Sequence, residues 1–211
     1  MMKVRFIPAM LVGSVLVLAG CVGSTGVSRD LAFDSPPPAV DNMVLQDWDV
    51  VGVDVDVPRT LTVSEANTIK PRADIVWRED PIGDRHTQVD DLMTEALNGA
   101  FEQVTGTTPV IVNIRMTRFH AQTQRVRYSN LPSEQEIEFI MTVVDAETGV
   151  ILSGPEAFDL TFPALGGNDA VEADAAGLTQ RLRITRRLED WVEAEFVGIV
   201  TPSVLVSAVA R

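Results

Sequence analysis

A run of apolar residues with helical spacing divides the sequence and constrains its fold more than any other feature. Its members recur at intervals of three and four residues: Val89, Leu92, Met93, Ala96, Leu97, Ala100, Phe101 and Val104. This spacing predicts one amphipathic helix that buries a single face. The order Thr87-Gln88-Val89-Asp90 predicts its start through a capping box, and Gly106 is expected to end it in a left-handed conformation.

Segments with strand-like alternation lie on both sides of this helix. Before it, one strand over 47–57 is predicted to bury alternate valines, namely Val51, Val53, Val55 and Val57. After it, two long strands begin at Pro109 and at about 134. Their inward-facing residues are Val110, Val112, Ile114 and Met116, then Ile137, Phe139, Met141 and Val143. Asp145–Gly149 has the composition of a hairpin loop before a return strand at 150–162.

A second helix is predicted at about 173–197, after a loop at 163–169 that is rich in Gly and Asn. Its apolar stripe is Leu178, Leu182, Thr185, Leu188, Val192 and Phe196, with Trp191 at the margin. The apolar tail 203–209 is interpreted as a final strand or a docked extension, and residues 61–78 as loop with one or two short strands. The order β-α-β-β-β-α predicts an α+β fold. It has one mixed, mainly antiparallel sheet of three to five strands, with two helices on one face and solvent on the other.

The first 21 residues have the pattern of an export signal. Lys3 and Arg5 precede an apolar run over 6–18, which is shorter than the roughly 20 residues that span a bilayer. The run ends in Leu18-Ala19-Gly20-Cys21. This pattern resembles the lipobox of bacterial lipoproteins, which implies cleavage after Gly20 and lipidation of Cys21. The alternative is a plain secretory peptide or signal anchor that carries Cys21 by chance.

The predicted organisation has three parts: a signal peptide over 1–20, a lipidated Cys21 with a Pro-rich tether over 21–46, and a single α+β domain over 47–211. Because Val22 rather than an acidic residue follows the cysteine, the resemblance implies sorting to the inner leaflet of the outer membrane, facing the periplasm. The inner membrane is the less favoured location. The expected partner at this end is the lipid bilayer, through acylated Cys21.

Charge and cysteine content exclude several functions. There are 30 acidic and 17 basic residues, and the resulting net charge of −13 repels nucleic acid, so none is expected as a partner. One cysteine excludes an internal disulfide and any multi-cysteine metal site.

A search for catalytic groups finds two histidines, His86 and His120, and no free nucleophile in a recognised arrangement. Asp54 and Asp56 share a strand face and could offer oxygens to calcium, but a solvated acidic face is the favoured interpretation. The sequence therefore predicts no catalytic residue, no metal, no cofactor and no enzyme. Paired carboxylates are the alternative, and Glu134, Glu136 and Glu138 are adjacent candidates.

Four arginines within 13 residues stand out in this acidic chain: Arg115, Arg118, Arg125 and Arg127. They are predicted to lie on a hairpin formed by strands 110–127 and 134–145, with a tip at 129–132. With Tyr128 and Leu131 they form a candidate partner-binding surface. The alternative is that Arg125 and Arg127 pair across the hairpin with Glu134, Glu136 and Glu138.

The lipobox, the Pro-rich tether and the hairpin at Asp145–Gly149 together resemble the small periplasm-facing lipoproteins of Gram-negative envelopes. The preference for Arg over Lys points to an uncharacterised alphaproteobacterial lipoprotein family. The resemblance implies a non-enzymatic accessory or structural binding module whose partner is an envelope protein or polymer. An envelope hydrolase that uses paired carboxylates is the alternative function.

Overall fold

The computed structural model describes residues 47–197, so the lipobox, the tether and the tail 203–209 lie outside the described residues. Six strands form one sheet: β1 (Trp48–Asp56), β2 (Ile75–Val76), β3 (Thr108–His120), β4 (Glu134–Asp145), β5 (Ile151–Asp159) and β6 (Phe162–Pro163). Four α-helices accompany them: α1 (Arg85–Phe101), α2 (Gln124–Arg127), α3 (Gly167–Ala175) and α4 (Gln180–Val192), which a π-helical turn (Glu193–Val197) follows. The predicted fold class is confirmed.

The long strands lie in the order β1-β3-β4-β5. β1 runs parallel to β3, and the β3–β4 and β4–β5 pairs are antiparallel. β2 pairs with β3 beyond the end of β1, and β6 pairs with the first residues of β4. The sheet is therefore mixed and mainly antiparallel, and its two extra strands are only two residues long.

One face of the sheet holds the core. α1 and α4 contact each other, and their apolar residues share one buried cluster with the inward side chains of β3 and β4. The opposite face, which carries Asp54, Arg115 and Glu138 and which we call the open face, is mostly exposed or half-exposed. Among residues 47–197, every helix is too short or too polar to cross a membrane.

The alternation predicted for β1 fails at one position. A register shift between Val50 and Gly52 marks a β-bulge, which places Val51 on the surface with 56% of its area exposed. Val50 takes its place against the core, and Val55 and Val57 are buried as predicted.

All eight residues of the predicted stripe are buried; seven lie in helix α1, and Val104 follows its end. The helix begins three residues earlier than the capping box at Thr87 predicted, because the Asp84 side chain accepts hydrogen bonds from the N–H groups of His86 and Thr87. The predicted role of Gly106 was also wrong: it does not adopt a left-handed conformation. Instead, a Cβ at Gly106 would lie 2.5 Å from the main chain of Asp47 and Trp48, so glycine is needed for close approach to β1.

Strand β3 ends at His120 rather than at 127, and the predicted β3–β4 register was wrong. Arg115 faces Ile140 and Arg118 faces Glu138, a shift of several residues from the expected pairing. The chain leaves the sheet because Ala121–Thr123 are buried and Thr123 caps the short helix α2.

The predicted C-terminal helix is two helices, α3 and α4. Gly177 has a φ of +77°, and the Thr179 side chain caps α4 through the N–H of Leu182, so the helices are separate. The buried face of α4 includes Ile184 rather than Thr185. Trp191 is central rather than marginal. Its ring packs against those of Phe101, Phe139, Phe158 and Phe196 at centroid distances of 5.1–6.3 Å.

Candidate functional site

The structure separates the four arginines that the sequence grouped together. Arg115 and Arg118 lie on the open face and already have acidic neighbours. Arg115 forms an ion pair with Asp56 at 2.8 Å, and Arg118 Nε lies 2.5 Å from Glu136 Oε2. Glu138 is a more distant neighbour of Arg118, at 3.9 Å.

Arg125 and Arg127 belong to α2, so the predicted pairing of these two residues with the glutamates of β4 was wrong. The side chain of Arg125 is exposed, and its main-chain N–H donates to Asn67 Oδ1 at 2.8 Å. Arg127 is 3% exposed and forms a two-point ion pair with Asp174 of α3. The hydrogen bond from Arg127 holds the pKa of Asp174 below its ordinary value.

Tyr128 and Leu131 follow α2 and are exposed, as a contact surface requires. The hydroxyl of Tyr128 donates to Asp174 Oδ2 at 3.1 Å, which fixes one edge of the ring. The partner-binding role of these residues stays a prediction.

A cavity of about 490 Å³ opens where β3 approaches its C-terminal end. We call it the basic pocket; it is lined by Thr62, Lys70, Pro71, Arg72, Ala73, Asp74 and Arg118. Sequence reasoning found only Arg118. Lys70 and Arg72 come from a segment without any apolar period, and no local signal places them beside β3.

Glu136 connects two cations of the basic pocket. Lys70 Nζ donates to Glu136 Oε1 at 2.6 Å, and Arg118 Nε donates to Oε2. Partial burial raises the pKa of Glu136, but these two hydrogen bonds outweigh it and hold the pKa below its ordinary value. A carboxylate held in this way is a poor general acid, so this geometry argues against Glu136 as one of a catalytic pair.

The other acid at the basic pocket is also engaged. Asp74 Oδ2 accepts hydrogen bonds from the N–H and the hydroxyl of Thr62, both at 2.7 Å. These bonds lower the pKa of Asp74. Its charge is therefore retained and directed toward Thr62.

Both histidines contact main-chain oxygen atoms. His120 is buried beside the basic pocket, and its Nε2 lies 3.1 Å from the carbonyl oxygen of Pro71. Burial lowers its pKa, so the imidazole is neutral near pH 7. His86 Nε2 lies 3.1 Å from the carbonyl oxygen of Leu61. These two contacts hold the segment over 57–83 in place.

A second cavity, of about 370 Å³, lies between β1 and the first turns of α1. We call it the acidic pocket, since three carboxylates line it: Asp54, Asp56 and Asp90. Burial raises the pKa of Asp90, and the charges of Asp91, Asp54 and Asp56 raise it further. The sequence paired Asp54 with Asp56, but Asp90 was interpreted as a helix-terminal charge because the helix start was misplaced.

Neither pocket has the ligand set of a metal centre. Within residues 47–197, no group of three or more His, Cys, Asp or Glu side chains is arranged to hold a metal ion.

Comparison with known proteins gives a family match and several distant structural likenesses. The model of a family described as "Family of unknown function (DUF6778)" matches residues 48–204. Protein XCC0632 from Xanthomonas campestris, of family DUF330, is 13% identical over 69% of this chain and 83% of its own, with a TM-score of 0.38. A "putative lipoprotein" from Caulobacter crescentus is 14% identical over 67% of this chain and 90% of its own, with a TM-score of 0.27. No curated protein matches the chain.

Proposed function

The chain belongs to the DUF6778 family, a family of unknown function, and on that premise we propose that this protein is a lipid-anchored lipoprotein of the Gram-negative envelope. It acts as a non-enzymatic accessory or structural binding module. Its anchor is the acylated Cys21, and its location is the inner leaflet of the outer membrane, facing the periplasm.

The observation that carries this proposal is the order of features at the N-terminus. A basic start, a short apolar run and Leu18-Ala19-Gly20-Cys21 follow one another at the spacing of a lipobox. Acyl chains contribute about 0.8 kcal/mol per buried CH₂ group, so two or three chains hold a protein stably at a membrane. A protein held in this way contacts molecules that lie close to the membrane.

The basic pocket lies at one end of the long strands. Trp48 pairs with Thr108 at the start of β3, whereas Arg118 of the basic pocket lies near the end of that strand. At roughly 3.3 Å per residue, the ten residue steps from Thr108 to Arg118 span on the order of 33 Å. The basic pocket therefore lies at the opposite end of the sheet from the point where the chain enters at Asp47.

Crosslinking in living cells tests the proposal. The full chain should yield a saturable adduct of constant size with an envelope component, and the yield should fall sharply in Cys21→Ala, which removes the anchor. Cys21→Ser is the near-isosteric second variant and should behave in the same way. An adduct pattern indistinguishable between wild type and both variants contradicts a lipid-anchored binding module.

The acidic pocket favours one alternative, an envelope hydrolase that uses paired carboxylates. Asp90, whose pKa is raised, has the character of a general acid, and Asp54 offers a second carboxylate in the same cavity. This function requires that the purified full chain release soluble fragments from peptidoglycan and that Asp90→Asn abolish the release. Under the binding-module proposal, both proteins release none.

A further inference from the structure

We infer that the basic pocket is a docking site for an acidic segment of a partner protein, with side-chain carboxylates as the recognised groups. The inference rests on the proposed function as a binding module and adds the place of binding and the chemistry of the partner. The residues that carry it are Lys70, Arg72 and Arg118, of which the sequence pattern had indicated only the last.

The local charge favours an acidic partner. The chain has nearly twice as many acidic as basic residues, yet three cations from two separate segments line this one cavity. Lys70 and Arg118 share the single carboxylate of Glu136. None of the ion pairs formed among residues 47–197 involves Arg72, whose side chain is exposed. Three cations and one carboxylate, Asp74, therefore line the cavity, while Glu136 and Glu138 lie beside Arg118.

The contacts of Glu136 show how a carboxylate is held beside this pocket. One carboxylate is held by an ammonium group on one oxygen and a guanidinium N–H on the other, at 2.6 and 2.5 Å. Charge-assisted hydrogen bonds of this kind are about twice as strong as neutral ones. The pocket thus already holds one carboxylate from within the chain. The guanidinium of Arg72 remains available for a second.

The size and the surroundings of the pocket suit a peptide segment. A cavity of about 490 Å³ has room for several side chains rather than for one small ion. Ile69, with 59% of its area exposed, precedes Lys70, and exposed Arg125 lies beside the same segment. The hydrogen bond from Thr123 Oγ1 to the carbonyl oxygen of Thr68, at 2.7 Å, fixes that segment against α2. The segment that supplies Lys70 therefore carries an exposed apolar side chain next to the pocket and is held in place by α2.

The range of electrostatic forces favours a peptide over an anionic membrane. Screening in physiological salt limits the interaction of exposed charges to about 8 Å. A short acidic segment within the pocket meets mainly the local cations. A bilayer surface extends over the whole domain and also meets the acidic residues that give the chain its net charge of −13.

Binding of a fluorescent hexaglutamate peptide to the full-length protein in neutral detergent micelles tests the inference by fluorescence anisotropy. We expect saturable binding that weakens as salt rises, and a loss of about tenfold or more in affinity in Arg72→Glu, with a smaller loss in Arg72→Gln. Arg186→Gln is the matched control, since it removes an exposed cation of α4 outside the pocket, and it should bind as wild type does. Hexaglutamine should not bind.

Three outcomes overturn the inference: no binding of hexaglutamate by wild type, equal affinity in Arg72→Glu, or an equal loss in Arg186→Gln. Displacement of the peptide by inorganic phosphate at equal concentration, or tighter binding to phosphatidylglycerol vesicles that Arg72→Glu abolishes, would assign the pocket to phosphate groups instead. Cellular adducts that depend on Cys21 but persist in Arg72→Glu would leave the proposed function intact and reject only this site.

Discussion

Single side chains decide where helix α1 begins. Asp84 caps the helix and also forms an ion pair with Arg59 at 2.6 Å. The hydrogen bond from Arg59, followed by that from the Thr87 N–H, lowers the pKa of Asp84 to about 2. Two residues with capping chemistry, Asp84 and Thr87, lie within four positions of each other. The sequence pattern favoured Thr87 as the cap. Asp84 is held in place by Arg59, which lies far away in the sequence, so no local pattern indicates its role.

The stability contributed by Asp84 should depend on pH in a defined window. Its folded pKa lies below the ordinary value of 3.8, so the contribution is complete above that value and is lost as the pH falls through about 2. We expect Asp84→Ala to lower the free energy of unfolding at pH 7 and to approach wild type only as the pH falls below about 2. Urea unfolding followed by circular dichroism measures both. A difference of constant size across this range would show that the charge of Asp84 is not responsible.

The two arginines of α2 should differ sharply in their effect on stability. Arg127→Gln removes a buried cation and leaves Asp174 without its partner, which should cost about 3 kcal/mol. Arg125→Gln makes the same chemical change two residues earlier on an exposed side chain, and we expect an effect within about 0.5 kcal/mol. Thermal unfolding of the two variants side by side is the measurement. Similar losses would mean that Arg127 is solvated in solution.

At the scale of elements, the predictions succeeded where burial follows a local period. The stripe of α1 and the alternation of β4 are periodic, and the structure buries the expected residues in both. The end of β3 was missed because Arg127 is drawn into the interior by Asp174, which lies 47 residues later. The division between α3 and α4 was missed because Leu178, within the connection, continued the apparent stripe.

The packing of α1 on the sheet gives a test with an adjacent control. Leu97 is fully buried, so Leu97→Asp places an unpaired carboxylate in the core and should cost more than about 3 kcal/mol. Asn98→Asp introduces the same side chain at the next position, on the exposed side of the helix, and should change stability by less than about 0.5 kcal/mol. Guanidinium unfolding compares them. Equal stability of the two variants would place α1 at the periphery of the core.

At the scale of the whole molecule, the order of periodic segments was enough to predict the α+β class. The two pockets were beyond prediction for a different reason. Each combines residues from segments far apart in the chain, Lys70 with Arg118 in one and Asp54 with Asp90 in the other. Their proximity depends on the pairing of β1 and of β2 with β3. The local sequence carries no signal for those pairings.

Attachment of the whole molecule to a membrane is expected to depend on one atom, the sulfur of Cys21. Cells that express the full chain and are fed an alkyne-tagged palmitate should label wild type but not Cys21→Ala. The variant should also retain its signal peptide and migrate as a larger protein. Comparable labelling of both proteins would show that another residue carries the lipid or that the label is not specific.

The parallel pairing of β1 with β3 also sets an order of events in folding. Trp48 and Thr108 are partners across a 60-residue separation, whereas β3, β4 and β5 follow one another through short connections. Closing a long loop is entropically costlier than closing a short one, so the β3–β4–β5 meander should form early and β1 should join it late. Truncating Val55 in β1 should then mainly speed unfolding, and truncating Val112 in β3 should mainly slow refolding. Until β1 pairs with it, the free edge of β3 would expose unpaired backbone groups. The time during which another chain could pair there would depend on how quickly β1 joins the sheet.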